Sequence, residues 1–166
     1  MKLNEAKEKF IQTWGSLASS WGINRTMAMV HALLLVSETP LSTDEIMETL
    51  LISRGNANMN IRELMGWGIV RKELKMGERK EFFVADKDIW NVFKQIVKER
   101  RKRELEPVIA SIEELKKVDN GNGEAGEFLA LMDSLLHVTT KASVLLDLAV
   151  KSDENWLMSK LLKLIK

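Results

Sequence analysis

The chain has 166 residues, 45% hydrophobic and 30% charged, with a formal net charge of +1. That balance suits a folded chain of one small module plus packing helices and excludes a polycation, so any nucleic-acid contact must come from a local basic patch. The absence of cysteine removes disulfides, thiolate metal sites and cysteine nucleophiles, while a mixed-charge start (MKLNEAKEKF) and no run near ~20 apolar residues predict neither a secretory signal nor a membrane span, and hence a cytoplasmic protein.

Asn4 to about Ser20 reads as a helix with Phe10, Trp14, Leu17 and Trp21 along one side. Asn24 caps the next helix, Arg25 to about Ser37, which is apolar nearly all round and belongs in the middle of a core. Pro40 closes this N-terminal region, residues 1–40, expected to support the core and a dimer.

Residues 41–85 carry the most specific signal. Ser42 followed by Glu45 is a capping box, and Ile46, Leu50 and Leu51 give the first helix one apolar face. Asp44, Glu45 and Glu48 make its other side acidic, a poor surface for phosphate. Ser53 caps a second helix, Arg54 to about Trp67, with Ala57, Ile61, Leu64 and Met65 as its buried stripe. The short break between these helices is that of a helix-turn-helix.

The opposite face of the second helix carries Gly55, Asn56, Met59 and Arg62, flanked by Asn58 and Asn60. Asn suits the adenine edge, Arg suits guanine, and Met can lie against a thymine methyl. Gly55 in the first turn costs about 1 kcal/mol relative to Ala, a cost that close approach to a DNA backbone would justify.

A two-stranded hairpin follows. In Ile69–Lys75, Val70 and Leu74 share one face and Arg71 and Glu73 the other. Lys75-Met76-Gly77-Glu78 is a turn, and Arg79–Ala85 returns with Phe82, Phe83 and Val84. The candidate DNA contacts are therefore Ser53, Arg54, Gly55, Asn56, Asn58, Met59, Asn60 and Arg62 on the helix, and Lys72, Lys75, Arg79 and Lys80 on the hairpin. Ser53–Phe82 holds seven Lys/Arg against four Glu, a local excess in a nearly neutral chain.

The stretch ISRGNANMNIRELMGWGIVRKELKMGERKEFFVA resembles the winged-helix domain of the GbsR subgroup of MarR-type transcriptional regulators. The upstream WGSLASSWGINRTMAMVHALLLVSETPLSTDEIMETL is similar to that subgroup's lead-in, and the match runs over about Phe10–Arg103. The resemblance implies a homodimer that binds operator DNA through two winged helices and is often modulated by a small effector. Its DNA contacts carry over only onto the helix and hairpin residues just named.

Residues 86–166 are expected to be a helical dimerisation region. A long helix starts at Asp86 or Asp88, with Ile89, Phe93, Ile96 and Val97 as its stripe, and then meets the basic block Lys98–Arg103. Pro107 forces a kink or a restart. Asp119–Glu124 is a linker, Gly126 to about Val150 a further helix, and Trp156, Leu157, Leu161, Leu162 and Ile165 mark a last one.

Nothing predicts catalysis. His31 and His137 stand in apolar helices without ligand-spaced partners, and no Gly-rich phosphate loop is present. No metal or cofactor is expected. An aromatic ligand pocket for a small, cationic effector is a candidate, lined by Phe10, Trp14, Trp21, Met27 and His31. The fold expected is mainly α with a small β-hairpin, a winged helix-turn-helix flanked by dimerisation helices. The function expected is that of a DNA-binding regulator, a repressor acting as a dimer on a double-stranded operator. The alternative is a winged helix that docks another protein.

Overall fold

Gly15 lets two N-terminal helices approach closely. In the computed structural model, which describes residues 1–20, 22–119 and 123–152, α1 (Leu3–Ser20) packs against α2 (Arg25–Val36). A Cβ at Gly15 would lie 2.6 Å from Met29 Cγ. The buried side of α1 is therefore Ile11, Gly15 and Ala18, not the aromatic stripe expected. Small residues win this face because they bring the two backbones together. Phe10 and Trp14 stay half-buried, Leu17 is exposed, and Trp21 lies outside the described residues.

α2 is the central helix of the first compact unit, Met1–Val92. Asn24 Oδ1 accepts from the Met27 amide at 3.1 Å, as a cap should. Met27, Ala28, Val30, His31, Ala32, Leu33 and Leu34 are all buried. Its C-terminal carbonyls are taken by the Lys87 ammonium, a long-range cap that nothing local announces.

The next elements are β1 (Leu41–Ser42), α3 (Thr43–Leu50), α4 (Arg54–Gly66), β2 (Val70–Leu74) and β3 (Glu81–Ala85). The sheet has three strands in the order β1-β3-β2, all antiparallel, rather than a two-stranded hairpin. Two residues are too few for an alternating signal, yet Leu41 pairs with Phe83 and Ser42 with Phe82. β3 is thus the middle strand, with α2 and α3 packed against it, and the successive Phe82 and Phe83 are both buried. Leu74, expected beside Val70 in the core, is 78% exposed, because it pairs with Glu81 at the outer end of the hairpin.

Ser42 serves both the sheet and α3. Its amide and hydroxyl each lie 2.7 Å from the Glu45 carboxylate, and its oxygen caps the helix, completing the capping box. α3 buries Ile46 alone. Leu51, expected on that apolar face, instead takes the left-handed conformation (φ 54°) that ends α3, and it is 91% exposed. The chain reverses there into Ser53, which caps α4.

α5 (Ile89–Arg100) starts in the first unit, where the Asp88 carboxylate accepts from the Asn91 amide. Val92 is its buried residue; Ile89 and Phe93, expected on the stripe, are exposed. In the second unit, Phe93–Lys166, a π-helical turn (Arg101–Leu105) leads into α6 (Glu106–Leu115), which holds Pro107 in its first turn. The extra residue of the π turn absorbs the proline without ending the helix.

The basic block is knitted into this unit. Arg100 pairs with Glu104 at 2.9 Å, Arg101 with Glu106 at 3.2 Å and Asp147 at 3.4 Å, and Arg103 with Glu99 at 3.5 Å. α7 (Gly126–Lys151) packs on α6 but buries only Met132. By length and composition alone it is long and apolar enough to cross a membrane, where the sequence predicts no span. The terminal helix expected around Trp156–Ile165 lies outside the described residues, as do residues 120–122 of the linker.

Candidate nucleic-acid interface

The candidate DNA-facing side of α4 is set by the capping of the helix. Ser53 Oγ accepts from the Asn56 amide at 3.3 Å and fixes the start of the helix. Ala57, Asn60, Ile61 and Leu64 turn inward. At 3.6 residues per turn this leaves Gly55, Met59 and Arg62 outward, with Asn56 and Asn58 half-buried at the sides. Met59 is 56% exposed, and Met65, expected in the stripe, lies at the surface.

The asparagines separate into three roles. Asn60 is 1% exposed, and its Nδ2 donates to the Asn56 carbonyl at 2.8 Å and to Asn56 Oδ1 at 2.7 Å. Its assignment as a base contact is corrected: it faces the core beside Ala57 and Ile61. Asn56 is oriented by that bond. Asn58 Oδ1 accepts from the Thr43 hydroxyl at 3.4 Å, which ties α4 to the start of α3.

The basic side chains likewise differ in what already occupies them. Arg62 and Arg79 are exposed and have no carboxylate partner among the described residues. Lys72 is paired with Glu81 across the hairpin. The Lys75 ammonium sits 3.9 Å above the Phe82 ring, a cation–π contact. Arg54 and Lys80 both reach Asp44 on α3, Lys80 at 3.3 Å. These hydrogen bonds, from Lys80 first and then Arg54, hold the Asp44 carboxyl below its ordinary pKa. Glu45 is lowered chiefly by the Ser42 amide and hydroxyl. The part played by Asp44 was not legible, because its partners stand far along the chain.

Of the candidate ligand residues, Met27 and His31 are filled into the core. Desolvation, and then the charge of Lys87, push the His31 pKa down to about 4. Phe10 and Trp14 contact each other, with ring centroids 5.5 Å apart. Among the described residues no group of His, Asp and Glu could hold a metal ion.

No family model matches the chain. The HTH-type transcriptional repressor GbsR of Bacillus subtilis (strain 168) is 25% identical over 141 residues, which are 80% of this chain and 78% of that protein. The chain resembles the GbsR-type regulators. YvaV of the same bacterium, described as an HTH-type transcriptional regulator, is 21% identical over 91 residues, 55% of this chain and 51% of its own length. The crystal structure of a transcriptional regulator superposes with a TM-score of 0.62 at 17% identity, covering 87% of this chain and 95% of that one. The fold is thus a winged helix like that of this regulator, mainly helical with a small antiparallel sheet.

Proposed function

We propose that the chain is a sequence-specific regulator that binds double-stranded DNA as a homodimer in the cytoplasm, acts as a repressor and is not an enzyme. The observation that carries this reading is the outward face of α4, where Gly55, Met59 and Arg62 stand beside a wing whose exposed Arg79 has no carboxylate partner among the described residues. Two such readers would enter successive major grooves about one turn, ~34 Å, apart and exclude polymerase. Arg62 reads a base edge; Arg79 grips phosphate.

The partner copy is suggested by apolar surface. α7 leaves Leu131, Val138, Val144 and Leu145 exposed, more than a lone module leaves in water. Asp133 and Asp147 on the same helix are ion-paired to Lys116 and Arg101, which suits a helix between proteins better than one in lipid. A small effector that alters reader spacing, reaching Phe10 and Trp14, completes the reading.

The test is binding against salt. Affinity for DNA selected from a genomic pool should fall steeply as salt rises, with a slope set by the number of phosphates neutralised. Arg62→Ala should relax preference at particular bases, and Arg79→Ala should weaken all duplexes alike. A salt-insensitive interaction would favour the second reading, a protein-docking winged helix. The exposed apolar Leu51 and Met59 are what speak for that reading.

A further inference from the structure

Three elements meet at one carboxylate. Asp44 lies in the first turn of α3, Arg54 opens α4, and Lys80 stands on the wing just before β3. Arg54 Nη2 donates to Asp44 Oδ1, and Lys80 Nζ lies 3.3 Å from Asp44 Oδ2, so each oxygen holds one cation. All three side chains are at the surface, where water and DNA can reach them. The neighbouring Glu45 does not share this task, because Ser42 holds it in the capping box.

A phosphodiester presents a similar pair of anionic oxygens to arginine and lysine. Arg54, at the start of a reader helix, and Lys80, at a wing, are where such a module meets the duplex backbone. We propose that Asp44 is a built-in stand-in for a DNA phosphate: it holds Arg54 and Lys80 in the free protein, and the duplex must take them from it. This rests on the DNA-binding reading. A carboxylate at that place also repels the incoming backbone. Its effect falls on contacts that every sequence offers, so it lowers affinity for all duplexes while Arg62 keeps the choice of bases.

The test compares the whole 166-residue chain with its Asp44→Asn variant, binding both a random-sequence duplex and one selected by the wild type. Asp44→Asn should bind both about tenfold more tightly, the gain shrinking as salt rises. Glu48→Gln changes the net charge equally but touches neither cation, and should gain much less. Arg54→Ala should cost more in the Asp44→Asn background than in the wild type, since the released arginine then bears on phosphate. Asp44→Ser, which also suits a helical first turn, gives the same comparison if Asp44→Asn does not fold. Equal or weaker binding by a folded Asp44 variant, or an equal gain from Glu48→Gln, overturns the proposal while the DNA reading stands. A wild type that binds no duplex sinks both.

Discussion

The Lys87 ammonium lies 2.9 Å from the carbonyl oxygen of Leu34. It also donates to Leu35 and, at 2.9 Å, to Ser37, so one side chain from beyond the wing closes the end of the core helix α2. A cation there satisfies carbonyls that the helix cannot and meets the negative end of its dipole. Lys87→Met should therefore lower stability by about 1 kcal/mol. In urea unfolding the midpoint should fall with an unchanged slope. Lys7→Met, which breaks only an exposed pair with Glu38, should fall less; the reverse order would refute the cap.

His31 should make the fold acid-sensitive. Burial and the charge of Lys87 lower its pKa from 6.5 to about 4. The native state therefore resists a proton that the unfolded chain accepts. The stability this contributes is fully present above pH 6.5 and lost as pH falls towards about 4, about 3 kcal/mol in all. Asp44, Glu45 and Asp86 are lowered from ordinary carboxylate values, so their own losses come at lower pH. His31→Leu should flatten the stability profile between pH 6.5 and 4.5, the upper part of the His31 window. Nε2 of His31 has no hydrogen-bond partner among the described residues, so at neutral pH the leucine should cost little. An unchanged acid slope in the variant would remove His31 as its source.

Asn60 is a structural residue inside α4. Asn60→Ala removes two bonds to Asn56 and leaves a small void beside Ile61. Stability should drop by about 1–2 kcal/mol, while the base preference of bound DNA stays as in the wild type. A shifted preference at unchanged stability would return Asn60 to the reading face.

That asparagine also marks where the sequence was legible and where it was misread. Caps depend on residues three or four apart, so Asn24, Ser42 with Glu45, and Ser53 could be read directly. The helix pair and hairpin followed from them. Asn60 had a readable signal as well: it falls three residues after Ala57 and four before Leu64, on the buried stripe, but its polarity suggested a surface. The Asp44 clamp and the Lys87 cap join residues 36 and about 50 apart, and no local period encodes them. On α1, the large Phe10 and Trp14 carry the visible helical period, whereas the small size of Gly15 and Ala18 decides the packing.

Gly55 separates folding from reading within one position. A Cβ built there meets nothing within 4 Å, so the protein itself has room for alanine. Gly55→Ala should raise stability by about 1 kcal/mol, the difference in helix propensity. If the helix start lies close against a DNA backbone, the added methyl removes that approach and weakens the bond to phosphate. The variant should therefore melt higher than the wild type yet bind selected and random duplexes less tightly. A more stable variant with undiminished DNA affinity would mean that the glycine is not there for the duplex, and that the first turn of α4 stands back from the backbone.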